Sequence, residues 1–196
     1  MIDALFGSKT RVKLLHLFLN NPGKAFYVRE ITRLIDEQIN SVRRELSNML
    51  NVGIITSDTS DNKLYYEVNQ RYVYYVPFRA IFADQKVQTA APIKSSHGLQ
   101  ELLGELPGAR LVILSGVLVE GSSSGVDLLV VGDISLARLK ATVKQVEKAE
   151  GRELNYSVLS YDEFYYRLSV RDRFITEILK SKHVVVLDTD DVLKTK

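Results

Sequence analysis

Residues 28–51, VREITRLIDEQINSVRRELSNMLN, constrain the fold of this chain more than any other stretch. Val28, Ile31, Leu34 and Ile35 recur at three- and four-residue steps, which predicts a helix with one apolar side and with Arg29, Glu30 and Arg33 turned away from it. Asp36, Glu37 and Gln38 interrupt the period for about one turn. It resumes at Ile39, Val42, Leu46, Met49 and Leu50, predicting a second helix. The opposite face of that helix carries Asn40, Ser41, Arg43, Arg44 and Ser47, residue types that pair with base edges and phosphates: Arg with guanine, Asn with adenine, Ser with either. Two helices joined by a tight turn can present the second to the DNA major groove in this way. On its own the segment also reads as an ordinary amphipathic helix pair with a solvated face, the commoner case for a short motif.

The flanking sequence discriminates between the two. Ser8 can cap a helix starting at Lys9, whose Val12, Leu14, Leu15, Phe18 and Leu19 supply a broad apolar face before Asn20-Asn21-Pro22-Gly23 ends it. Residues 25–27 form a short extended approach to the second helix. After the third helix, Gly53 is placed to terminate it, residues 54–57 read as a strand, residues 58–63 (DTSDNK) as a polar turn, and residues 64–68 as the returning strand. Asn62 and Lys63 at the hairpin tip suit a phosphate or the minor groove. Three helices followed by a hairpin favour the DNA reading.

Composition bounds the alternatives. A chain of 196 residues suits one large domain or two small ones, and 45% hydrophobic with 26% charged residues is ordinary for a soluble globular protein. With no cysteine, disulfides, thiolate nucleophiles and Cys-based zinc sites are excluded. His16, His97 and His183 are widely separated and show no paired metal-ligand spacing, so no metal site is expected. The longest apolar runs, near Leu111 and Val184, are too short to span a bilayer, and nothing resembles a signal peptide; a cytoplasmic protein with no membrane partner is expected. A net charge of +2 means that any nucleic-acid binding must come from a local patch.

Residues 7–68, through GSKTRVKLLHLFLNNPGKAFYVREITRL, SVRRELSNML with its following Gly, and the hairpin, resemble the winged-helix domain of prokaryotic transcription regulators of the ArsR-like or MarR-like type. The resemblance implies operator binding to double-stranded DNA by a homodimer. The metal-sensing Cys pair of the ArsR type is missing, which argues against metal control.

Residues 71–93 hold Tyr72, Tyr74, Tyr75, Phe78, Ile81 and Phe82, with Pro77 placed to start a helix reaching about Gln88. Such an aromatic helix reads as core or as a dimer or interdomain contact. Residues 89–96, TAAPIKSS, read as a linker. The expected organisation is residues 1–70 as a DNA-binding domain, 71–96 as a connecting helix and linker, and 97–196 as a second domain.

That second domain alternates elements: a helix over 99–106, strands over 109–115 and 126–131, a helix whose buried stripe is Leu136, Leu139, Val143 and Val146, a strand over 154–159, helices over 162–168 and 172–180, and a strand over 184–187. An α/β domain with a small mixed sheet results. Residues 97–190 resemble the minimal nucleotidyltransferase fold of the DNA-polymerase-β-like superfamily, where a Gly-Ser pair holds nucleotide phosphates and carboxylates flanking one apolar residue hold magnesium. Gly116 matches the Gly, but Val117 stands where Ser is expected, Glu120 where related proteins often carry Arg, and Gly125 at the first acidic position; only Asp127 is kept. Asn155 falls where a third carboxylate is expected, with Glu153 as the alternative. The resemblance thus implies a domain without catalytic residues or cofactor, and with Gly116, Gly121, Ser122 and Asp127 as vestigial nucleotide-binding positions. The loop of residues 121–125, GSSSG, reads either as an anion nest for a nucleotide or small molecule or as a plain connection between strands.

Two expectations follow. One is a dimeric regulator that binds specific DNA and whose C-terminal domain serves ligand sensing or assembly. The other is a magnesium-dependent nucleotidyltransferase that its winged helix localises.

Overall fold

The computed structural model describes residues 5–82 and 102–193. The chain divides into two compact units, Met1–Thr89 and Ala90–Lys196. Each combines helices with a sheet, an α/β fold overall.

In the N-terminal unit, helix α1 (Lys9–Leu19) begins where the Ser8 hydroxyl accepts the Arg11 N–H at 3.2 Å, satisfying an amide that has no partner within the helix. Strand β1 (Phe26–Tyr27) runs directly into helix α2 (Val28–Ile35), which ends on Asp36 in the left-handed region with φ 50°. Helix α3 (Ile39–Val52) is closed by Gly53, whose φ of 85° lets its N–H cap the Met49 and Leu50 carbonyls. Strands β2 (Ile55–Ser60) and β3 (Lys63–Val68) form a hairpin, and helix α4 (Tyr75–Phe82) follows. The sheet is antiparallel in the order β1-β3-β2. Leu14, Leu15 and Phe18 of α1, Ile31 of α2, Val42, Leu46 and Met49 of α3, and Tyr75 and Phe82 of α4 share one core. Each such side chain contributes roughly 1.5–3 kcal/mol on burial.

Several local expectations change. Leu34, placed on the buried stripe, is 55% exposed, because α2 is only two turns long and its core line runs through Val28, Ile31 and Ile35. Ile39 is also partly exposed, since the first residue of α3 precedes the turn that packs. The hairpin is longer than its polar composition suggests. Residues 58–60 continue β2, and the turn is only Asp61-Asn62, both left-handed with φ 49° and 59°, as a two-residue hairpin turn requires. Helix α4 begins at Tyr75, two residues before Pro77; the proline still lies in the first turn, where no intrahelical amide is needed. Its expected extension to Gln88, the linker at 89–96, His97 and the start of the helix expected from 99 lie outside the described residues; residues 102–104 are helical.

The C-terminal unit holds strand β4 (Ala109–Leu114), a short 3-10 turn (Gly116–Leu118), strand β5 (Leu128–Gly132), helix α5 (Leu136–Glu150), strand β6 (Tyr156–Leu159), helices α6 (Tyr161–Ser169) and α7 (Arg173–Lys180), and strand β7 (Val184–Asp188). The sheet order is β6-β5-β4-β7; β5 and β6 are parallel and joined through α5, and β4 is antiparallel to both neighbours. The unbroken apolar runs of β4 and β5 follow from burial on both faces. Val112, Leu114, Leu128 and Val130 pack with Leu139, Val143 and Val146 of α5, while Leu111, Ile113, Leu129 and Val131 pack with Phe164, Ile175 and Ile178 of α6 and α7. Three strands fall short of their expected bounds: Ser115 follows β4, Val126 and Asp127 precede β5, and Leu154 and Asn155 precede β6. Leu136, expected in the stripe of α5, is 61% exposed at the helix start. No helix among the described residues is long and apolar enough to cross a membrane.

Candidate nucleic-acid interface

Helix α3 buries Val42, Leu46 and Met49 and leaves Asn40, Arg43, Arg44 and Ser47 exposed on the side away from the core, with Ser41 half-buried at its margin. Spacings of three, four and seven residues line these four side chains up along one side of the helix. Among the described residues, neither the Arg43 nor the Arg44 guanidinium takes a hydrogen bond or ion pair within the protein. Their donors therefore face outward. Arg43 lies near enough to β3 to act on Tyr66, whose hydroxyl pKa is raised by burial and pulled the other way by the arginine charge. The N-terminal unit is the basic one, with twelve Lys and Arg against nine Asp and Glu.

Two ion pairs fix where α3 sits. Lys13 of α1 reaches the turn between α2 and α3: its ammonium donates to the Ile35 carbonyl at 2.7 Å and pairs with Glu37 Oε1 at 2.8 Å. The Thr10 hydroxyl adds a bond to Glu37 Oε2 at 3.4 Å. The Lys13 hydrogen bond holds the Glu37 carboxyl below its ordinary pKa, against the opposing effect of burial. One side chain thereby caps a helix end and clamps the turn.

The second pair is Glu45, a charged residue on the apolar stripe of α3, only 3% exposed, with Oε2 at 2.9 Å from Arg11 Nε of α1. Burial pushes the Glu45 carboxyl up, but hydrogen bonds from Ser8, Arg11 and Asn48 outweigh it and keep the pKa below its ordinary value. Sequence periodicity missed all four residues. The available signal was a glutamate beside Leu46 on the core line, which demands a buried cation.

At the hairpin tip Asn62 and Lys63 are exposed. The Lys63 ammonium lies 5.6 Å from the centre of the Tyr27 ring, which itself meets Tyr65 edge-on. Asp58 and Asp61 lie on the same hairpin, so the tip is of mixed charge and α3 carries the stronger cationic surface.

In the C-terminal unit the positions matched to a nucleotide site form a closed polar network. Asp127 is fully buried; its Oδ1 accepts the Val117 N–H and its Oδ2 the Asn155 N–H, both at 2.8 Å. Ser122 Oγ accepts the Gly116 N–H at 2.9 Å. The buried hydroxyls of Ser115 and Ser124 both donate to the Val126 carbonyl, at 2.6 and 2.8 Å. Val117 packs its side chain against the sheet core instead of offering a hydroxyl. Gly121 and Gly125 are exposed, and Asn155 donates its side-chain amide to the Gly125 carbonyl at 3.2 Å.

Ser122 and Ser124 of the GSSSG loop thus hold the local backbone. Hydroxyls in such turns replace missing backbone partners. Both oxygens of Asp127, the one carboxylate kept at the matched positions, accept backbone amides, and Gly125 brings no side-chain ligand. Ser115 was missed in the sequence, and Ser124 was read only as part of the 121–125 loop, because their shared role appears only once residue 115 is brought against residues 124 and 126.

No protein-family model, no curated protein and no solved structure matches the chain.

Proposed function

We propose that this protein is a cytoplasmic transcription regulator that binds specific double-stranded DNA as a homodimer through a winged helix-turn-helix formed by residues 1–70. Helix α3 enters the major groove, with Asn40, Arg43, Arg44 and Ser47 toward base edges and phosphates, and the β2–β3 hairpin flanks it as the wing. The observation that carries this reading is the outward row of α3: two guanidiniums that, among the described residues, take no hydrogen bond or ion pair within the protein, on a helix whose position two ion pairs set. An ordinary solvated helix face needs no such clamping, whereas a reading helix must hold its angle to the duplex.

The C-terminal unit, nucleotidyltransferase-like by its motif, serves ligand sensing or assembly in this reading, without catalysis. The turn of Asp127 toward two backbone amides supports that role over phosphoryl transfer. Selection of oligonucleotides from a random duplex pool tests the function: enrichment of a palindromic site with half-sites about one helical turn apart supports it, and no enrichment refutes it. Incubation with labelled nucleoside triphosphates and magnesium is expected to give no transfer; transfer abolished by Asp127→Asn would establish the enzymatic alternative.

A further inference from the structure

Away from the Asp127 network, the α6–α7 side of the C-terminal unit contains a cleft of about 640 Å³, within the range of sites for small organic ligands. Its apolar lining comes from Leu168, Leu179, Val192 and Leu193. One wall is Tyr161 and Tyr165, with rings nearly parallel at 21° and centroids 6.4 Å apart. The Arg110 guanidinium lies over the Tyr161 ring, 3.7 Å from its centre. Arg110 is itself fixed by two 2.8 Å bonds to Asp190, so the one carboxylate lining the cleft is already neutralised. Tyr165, which also lines the cleft, is 58% exposed and so has ring surface available for stacking.

The remaining charged lining residue is Arg171. Its backbone is left-handed at φ 53°, held by its N–H on the Leu168 carbonyl at 3.2 Å and by the Thr176 hydroxyl on its own carbonyl at 3.3 Å. Among the described residues its guanidinium has no ion pair or hydrogen bond. A greasy floor, exposed tyrosine ring surface and one uncommitted guanidinium together match a flat apolar body with a single anionic end.

We propose that this cleft binds an aromatic carboxylate of about two fused rings, stacked on Tyr165 with its carboxylate on Arg171. This rests on the reading of the C-terminal unit as a ligand sensor and names the site and the ligand class. Two rings fit within the 640 Å³ of the cleft, and the guanidinium presents paired N–H donors to the carboxylate.

Calorimetric titration of the full chain with 2-naphthoate tests it, with 2-naphthamide and decanoate as comparators. Naphthoate is expected to bind and the neutral amide to bind about tenfold or more weakly, the value of a charge-assisted pair. Arg171→Asn, which tolerates the left-handed backbone, should weaken naphthoate about tenfold, with Arg171→Lys recovering part of the loss. Tyr165→Ala, at an exposed position, should cost roughly two- to tenfold. No naphthoate binding, equal binding of the amide, tighter binding of decanoate, or an unaffected Arg171→Asn would each overturn the proposal. DNA binding is measured on the same preparations: naphthoate binding without DNA binding removes the regulator reading and leaves the site, and the converse removes the site alone.

Discussion

Replacing Arg11 with Met removes the cation opposite Glu45 while keeping most of the side-chain stem that packs beside it. The carboxylate left behind is 3% exposed. Stranding a fully buried charge costs about 3–5 kcal/mol, whereas breaking a solvent-exposed pair costs about 0–1 kcal/mol. With Arg11 itself 37% exposed, water screens one side of the pair, and the loss falls at about 2 kcal/mol between those limits. Hydrogen exchange of α3 amides in the full chain reads it as roughly thirtyfold faster exchange at pH 7, at 1.36 kcal/mol per decade. The pH dependence has a definite sign. The folded Glu45 pKa is lowered, so the stability it contributes is present above the unfolded value near 4.3 and is lost as pH falls through the folded pKa. Arg11→Met removes the Arg11 hydrogen bond and charge that help to lower the Glu45 pKa, so the deficit against the parent chain is full at neutral pH and shrinks toward pH 4. Exchange within twofold of the parent at pH 7, or a deficit that grows as pH falls, would refute the buried pair as the anchor of α3.

Asp127→Asn keeps one acceptor oxygen and turns an NH2 toward the second backbone amide, so either Val117 or Asn155 loses its partner. About 2 kcal/mol of destabilisation and a melting drop on the order of 10 °C are expected by calorimetry. An unchanged melting temperature would show that the carboxylate is not structural. Gly108 has φ 84°, and an added methyl there would collide with the Asp133 carbonyl, while Gly125 has open space. Gly108→Ala should therefore cost more than about 2 kcal/mol and Gly125→Ala less than about 0.5 kcal/mol in denaturant titrations.

The elements legible in the sequence were those whose cause is local. Val42, Leu46 and Met49 repeat at helical spacing and are buried; Ser8 and Gly53 sit at helix ends and cap them. Errors cluster where position along an element, rather than residue type, decides exposure: Ile39 and Leu136 open their helices and Leu34 lies in the last turn of a short one. The polar run Asp58-Thr59-Ser60 read as a turn because β2 buries only Ile55, leaving no alternation to detect. The outward face of α3 was legible because it needs only the helical period. Its clamps were not, since Lys13 meets Glu37 and Arg11 meets Glu45 across more than twenty residues of chain. The same holds for Asp127, whose two donors lie 10 and 28 residues away.

The row of Arg43 and Arg44 bears directly on DNA binding. Duplex affinity of the parent chain and of Arg43→Ala/Arg44→Ala, measured by fluorescence anisotropy across a salt series, separates phosphate from base contacts. The double variant is expected to bind at least about tenfold more weakly and to lower the slope of log affinity against log salt by about one to two units, with α3 exchange rates unchanged. Equal affinity and an equal slope, with α3 equally protected, would contradict the assignment of this helix to DNA.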